Sequence, residues 1–386
     1  MTIPDYRIAD TSELLSPSLI VFREQLERNL EGMIAIAGSV ERLRPHCKTH
    51  KMAEVTKIEL ARGITKHKAA TFAEAEMLAD VGVKDILLAY TLVGPNLKRA
   101  VAFRKKYPDV LFIVTADDFD NVQRLSDMMV AAETDIHVLL DIDCGQHRTG
   151  LVSSEHAMEL YDQMDNLPGL IAAGYHVYDG HQHQVAFEDR KAAVREEFEK
   201  VLEMRDLLES PVWSAEREHH GRSPKSLKVP RLVCGGTGSF PVYAEYDDPT
   251  IELSPGTCVF GDASYGSNFP DLKFPAAAVL LTRVISKPHG NRITLDLGYK
   301  AVASDPPAGQ RVVFPELPDA KQVLQNEEHL VLETDKAEDY KVGDELIGIP
   351  WHVCPTSALH ASAYVVEDGH VTGEWEVTSR NRKITI

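Results

Sequence analysis

The sequence predicts an α/β protein: a (β/α)8 TIM-type barrel followed by a separate β domain. Between about residues 41 and 260, short apolar runs alternate with amphipathic stretches of helical period, the pattern of parallel strands joined by crossover helices. The runs at 42–47, 65–70, 85–90, 111–115, 136–142, 170–177, 231–234 and 251–260 make eight strands, which favours a closed barrel over an open doubly wound sheet. After Asp262 the helical period stops. Alternating, β-branched runs take over at 277–285, 292–297, 330–333, 345–349, 362–366 and 383–386.

The helices between the strands carry one apolar stripe each. Over 52–61, Met52, Val55 and Ile58 share a face; over 188–208, Val194, Phe198, Val201 and Leu202 do. Such stripes pack a barrel and need no further explanation. The polar stretch 210–228, with Pro211, Gly221 and Pro224, reads as a surface insertion. A further apolar run at 18–22 is one strand too many for the barrel, and periodicity alone does not place it.

Composition limits the function classes. At 386 residues and 44% hydrophobic, the chain can bury a large core and predicts two domains. Its 41 basic against 59 acidic residues give a formal charge of -18, which argues against nucleic acid or an anionic membrane as partner. The first residues lack a basic segment followed by an apolar run, and no apolar stretch approaches membrane-spanning length, so a cytoplasmic protein is expected. Five cysteines without C-x-x-C spacing fit a reducing compartment and no disulfide framework.

In a barrel of this kind, functional groups gather where strands end. Lys48 follows the first predicted strand, within Arg44-Pro45-His46-Cys47-Lys48-Thr49-His50-Lys51. Asp143-Cys144-Gly145-Gln146-His147-Arg148 follows the fifth, Tyr178-Asp179-Gly180-His181-Gln182-His183 the sixth, and Gly235-Gly236-Thr237-Gly238-Ser239 the seventh. Gly256 and Thr257 fall within the eighth. A half-buried lysine in such a turn can form a Schiff base. Closely spaced glycines let backbone N–H groups approach a phosphate, although G-G-T-G-S fits neither the dinucleotide nor the P-loop spacing. On an extended segment, His352 and Cys354 project from the same face, and imidazole plus thiolate favours zinc among the divalent ions, with manganese and magnesium as alternatives.

The R-P-H-x-K-T-H-K run resembles the cofactor segment of the D-threonine aldolase and D-serine dehydratase family, pyridoxal-phosphate enzymes with an alanine-racemase-like barrel. The resemblance covers nearly the whole chain, including Glu252-Leu253-Ser254-Pro255-Gly256-Thr257 and His352-Val353-Cys354-Pro355-Thr356. It implies a barrel over 24–260 and a β domain built from 1–23 and 261–386, so that the run at 18–22 joins the second domain. It further implies that Lys48 holds pyridoxal 5'-phosphate, with His46, Gln146, Arg148, Tyr178, Gly236, Thr237, Gly238, Gly256 and Thr257 around it. Arg148 corresponds to an arginine near the cofactor's phenolic oxygen, and Tyr178 to a tyrosine lining the pocket. His352 and Cys354 correspond to the metal motif of the dehydratases, whereas the aldolases have Asp at the position of Cys354. His183, or its neighbour His181, is expected as a further ligand or as proton acceptor.

The implied activity is that of a pyridoxal-phosphate- and divalent-metal-dependent lyase on β-hydroxy-D-amino acids. Retro-aldol cleavage to glycine and an aldehyde is the first expectation. Dehydration of D-serine or D-3-hydroxyaspartate to a keto acid and ammonia is the second, and amino-acid racemisation a third. The partner expected is a small D-amino acid, and the family implies a homodimer. A non-catalytic cofactor carrier would lack the C-terminal β domain, and a metal-dependent barrel hydrolase would place H-x-H after the first strand, where this chain has Lys48.

Overall fold

The computed structural model describes residues 4–219 and 221–386. The chain divides into two compact units, one holding 36–47, 56–255 and 381–386, the other the residues up to Ala35 together with 48–55 and 256–380. Relative to a barrel over 24–260, the segments 24–35, 48–55 and 256–260 thus group with the β-rich unit. Asn29 shows why, for its side-chain amide donates to the carbonyls of Val259 (3.1 Å) and Pro275 (2.8 Å). The backbone N–H of Ser379 similarly holds the carbonyl of Lys51 at 3.1 Å.

Strand β1 (Ser18–Phe22) belongs to the β-rich unit. The barrel unit contains β2 (Lys66–Ala69), β3 (Asp85–Thr91), β4 (Leu111–Ala116), β5 (Ile136–Ile142), β6 (Leu170–Val177), β7 (Leu232–Cys234) and β8 (Ile251–Leu253), parallel and adjacent in that order. The ring is closed by 43–46, where Leu43 bridges Leu253 of β8 and His46 bridges Lys68 of β2. The N–H of Arg44 donates to Leu253 (2.8 Å), that of His46 to Pro255 (2.8 Å), and that of Lys68 to Pro45 (2.8 Å). The strand expected over 42–47 is therefore reduced to two single bridges. Residues Val40–Arg42 form a 3-10 turn, and Pro45 has no N–H for a ladder. Leu87, Ile113, Leu139, Ala173 and Val233, one from each of β3 to β7, form a buried apolar cluster.

Three further expectations need correction. The strand expected over 251–260 ends at Leu253, because Pro255 interrupts it and 257–259 form a 3-10 turn. The stretch 210–228 contains a helix, Pro211–His219, started by proline at its first position and anchored by buried Trp213 and by Arg217, which pairs with Asp162. Residues 383–386 are not a strand. Their backbone groups go to side chains of the barrel unit instead: Glu76 accepts the N–H groups of Thr385 and Ile386 at 3.1 Å, and Arg99 donates to the Ile386 carbonyl at 2.9 Å. The long helix Phe187–Glu209 keeps its expected face, with Met204 and Leu208 buried beyond Val201, while Leu202 is only partly covered.

The β-rich unit adds β9 (Ala278–His289), β10 (Arg292–Leu295), β11 (Val312–Val313), β12 (Lys321–Gln325), β13 (Leu330–Glu333), β14 (Glu345–Pro350), β15 (Ser362–Glu367) and β16 (His370–Glu376). Its main path runs β12-β13-β10-β9-β1-β15-β16, with β14 paired to β9 and β11. N-terminal β1 lies between β9, antiparallel, and β15, parallel. Leu19, Ile20 and Val21 of β1 are fully buried, so the first strand of the chain is core to a sheet otherwise made from its last third.

Candidate active site

Lys48 stands directly after the barrel-closing segment, and its half-buried side chain belongs to the β-rich unit. The same unit gathers a compact polar group around Cys354. The Cys354 sulfur lies 3.2 Å from Thr49 Oγ1 and 3.5 Å from Thr257 Oγ1. Burial raises the Cys354 thiol, but its hydrogen bond with His352 and the charge of Lys48 outweigh this and hold it below the ordinary value. Burial also works against a charged His352, yet Cys354 and Asp305 raise that ring to about 9. His352 Nδ1 meets Asp305 Oδ2 at 2.6 Å.

His50 and Lys51, equally basic in sequence, are turn residues. His50 is buried, and its Nδ1 accepts the N–H of Met52 at 3.1 Å. Lys51 has φ of 57°, and its carbonyl is the one held by Ser379.

His352 and Cys354 do not share the face of an extended segment, as the sequence suggested. His352 is the extended N-cap (φ -131°, ψ 102°) of the helix Val353–Leu359, in which Cys354 is the second residue. The cap folds the two side chains together. Asp262, buried and pushed up to about 6 by that burial, receives the N–H of Val353 at 3.1 Å and that of Tyr265 at 2.9 Å. Imidazole and thiol side by side, the thiol shifted towards thiolate, form a donor pair that fits a zinc-like ion.

The barrel unit places the remaining predicted residues after β5, β6 and β7. The Arg148 guanidinium lies 5.0 Å from the Tyr178 ring centroid, and the Lys68 ammonium lies 5.6 Å from it. Asp143 shapes the loop before Arg148 by accepting the N–H groups of Gly145 (3.0 Å) and His147 (2.9 Å), with half-buried Gln146 between them. His183 is exposed, whereas His181 is partly covered and its Nδ1 is buried without a hydrogen-bond partner.

The loop Gly235–Ser239 is built as a backbone cradle. Gly235 has φ of 71°, and a Cβ there would come within 2.8 Å of Ser239 Oγ and 2.9 Å of the Tyr243 ring. The Ser239 hydroxyl accepts the N–H of Gly236 at 3.2 Å and donates to Asp179 at 2.5 Å, and the Tyr243 hydroxyl also donates to Asp179, at 3.0 Å. Such a braced, glycine-rich loop fits the close approach a phosphate requires. Gly235→Ala is accordingly expected to destabilise the protein by about 1–3 kcal/mol through positive φ and the collision with Ser239, and to weaken cofactor retention. Chemical denaturation and the cofactor-to-protein ratio after gel filtration measure both effects.

Lys68, Asp179 and Asp305 escaped sequence reasoning. Lys68 carried a signal, as a lysine among the runs that build the barrel, and it is 2% exposed in β2. Asp305 carried none. His46 is buried with Cys47 and Glu74, their ligand atoms within 4.8 Å of one another. Glu74 there serves its own helix: Oε2 accepts the N–H of Ala70 at 2.6 Å, just before the helix that Thr71 caps.

Comparison with known proteins agrees with this architecture. Residues 21–233 match the family model "Alanine racemase, N-terminal domain", and residues 277–366 match "Putative serine dehydratase domain". The chain is 31% identical over 373 residues to the D-threonine aldolase of Arthrobacter sp, covering 95% of this chain and 92% of that protein. It is 31% identical over 395 residues to the 3-hydroxy-D-aspartate aldolase of Paracoccus denitrificans (strain Pd 1222), covering 98% and 96%. The crystal structure of D-threonine aldolase from Filomicrobium marinum superposes with a TM-score of 0.83 at 28% identity, over 95% of this chain and 96% of that one. Fold and glycine cradle define an alanine-racemase-like barrel protein, and within that class the chain belongs to the D-threonine aldolase and D-serine dehydratase family.

Proposed function

We infer that the protein is a pyridoxal-phosphate-dependent lyase that cleaves D-threonine-like β-hydroxy-D-amino acids to glycine and an aldehyde, with a divalent ion held by His352 and Cys354. The observation that carries this is the grouping of Lys48, Thr49, Thr257, His352 and Cys354 in one compact unit, with the lysine charge felt at the thiol. The relatives named as aldolases, matched over nearly their whole length, support the same reading. Bound pyridoxal phosphate supplies an electron sink for the bond that breaks. Following the family resemblance, Lys48 would hold it, the loop with Gly236, Thr237 and Gly238 together with Gly256 and Thr257 would bind its phosphate, and His46, Gln146, Arg148 and Tyr178 would line its ring.

The His/Cys donor pair suits zinc, and such an ion held by His352 and Cys354 would supply Lewis-acid polarisation of the substrate's β-hydroxyl. His183, or its neighbour His181, would take the hydroxyl proton. No helix among the described residues is long and apolar enough to cross a membrane. A cytoplasmic homodimer acting on a small D-amino acid completes the proposal.

Cys354 favours a second reading, dehydration, because the family's dehydratases share cysteine at this place. Incubation with D-threonine and with D-serine separates the two: glycine plus acetaldehyde is expected, and pyruvate plus ammonia from D-serine would make dehydration the activity. Racemisation of alanine without lyase products would overturn both. Chelation is expected to lower the rate on the order of a hundredfold or more and to leave the visible cofactor band in place. Cys354→Ala should remove the bound ion by elemental analysis, and unchanged metal content would rule out the His/Cys pair.

A further inference from the structure

The segment bearing Asp305 is fastened on every side although the carboxylate itself is 54% exposed. The N–H of Ala303 donates to Thr356 Oγ1 at 3.1 Å, and the Thr356 hydroxyl donates to the His352 carbonyl at 2.8 Å. Thr356 is fully buried in the helix that carries Cys354, so this hydroxyl couples the 303–305 segment to the helix and to its cap residue. Arg311 clamps the segment from the other side: its guanidinium donates to the carbonyls of Ser304 and Pro306, both at 3.2 Å, one on each side of Asp305. The Arg311 carbonyl in turn accepts the N–H of Trp351 at 2.8 Å, which is next to His352. An ordinary surface ion pair needs no such bracing. As a salt bridge, an exposed carboxylate and a ring that is 39% exposed are worth little to stability.

The contact is specific in chemistry as well as in place. Asp305 Oδ2 lies 2.6 Å from Nδ1 of His352, and the same imidazole hydrogen-bonds Cys354. A carboxylate at Nδ1 keeps the proton on that nitrogen, which leaves the lone pair on Nε2 for a metal ion and fixes the plane of the ring. We propose that Asp305 is a positioning residue, which holds His352 in the tautomer and orientation that let it share a divalent ion with Cys354. This rests on the proposed role of the His352/Cys354 pair.

The test is the affinity of the stripped holoenzyme for Zn2+ and Co2+, measured by titration calorimetry and by the cobalt–thiolate absorption band. Asp305→Ala should weaken binding of both ions roughly 10–100-fold. Asp305→Asn, whose amide oxygen still accepts from Nδ1 but lacks the charge, should fall between Asp305→Ala and the native protein. Thermal midpoint and visible cofactor band should stay at native values in both, because the carboxylate is exposed and distinct from the cofactor contacts. Native ion affinity in Asp305→Ala, with Cys354→Ala devoid of ion, overturns the positioning role and leaves the functional reading intact. If the native protein and Cys354→Ala take up ions equally weakly, both fail together.

Discussion

Lys48→Ala is expected to abolish the visible cofactor band and the adduct formed on borohydride reduction, and to lower turnover by on the order of a thousandfold or more. Lys51→Ala should keep all three. The two lysines look alike in sequence, and the backbone separates them. Lys48 follows immediately on the hydrogen bonds that close the barrel, and its charge acts on Cys354 within the same unit. Lys51 occupies a left-handed turn position whose carbonyl is tied to Ser379. Peptide mapping after reduction locates the modified lysine. A pyridoxyl group on Lys51, or on no lysine, would remove the basis of the proposed chemistry.

Much of the barrel was legible because its strands are buried on both faces and read as continuous apolar runs. The runs at 85–90, 111–115, 136–142 and 170–177 all match strands to within a residue or two. Reading failed where backbone donors decide the outcome. Pro45 and Pro255 shorten the first and last barrel strands, and the backbone of 385–386 satisfies itself on Glu76. At the site, residue types were legible and their relations were not. The H-x-C pair stood out, but the helix cap that folds His352 against Cys354 did not. Asp179 braces Ser239 across 60 residues, and Asp305 reaches His352 across 47. No periodicity encodes contacts of that range.

The largest stability effect is expected at the foot of the barrel. Arg44 is fully buried in the closing segment, its Nε 2.5 Å from Glu252 of β8 and its Nη1 2.8 Å from Asp85 of β3. Lys66 of β2 reaches the other Glu252 oxygen at 2.9 Å. One guanidinium thus ties β8 to β3 and, through the His67 carbonyl at 3.4 Å, to the β2 edge that the bridges of 43–46 bring beside β8. Arg44→Met should destabilise the protein by about 3–5 kcal/mol, since it leaves a buried carboxylate short of its main partner.

The same network sets an acid limit. Burial raises Glu252, but Arg44 first, and then Lys66 and Arg231, pull it down to about 2 from an ordinary 4.5. A depressed carboxylate contributes stability that is fully present above its unfolded value and is lost as pH falls through its folded one. The window is therefore about 4.5 down to 2, and the contribution roughly 3 kcal/mol. Glu252→Gln has no such titration. Denaturant unfolding of both proteins should show a stability gap at pH 7 that narrows by roughly that amount towards pH 2. A gap of constant size across this range would mean that Glu252 is not held ionised by Arg44, and the clasp would have to be sought elsewhere.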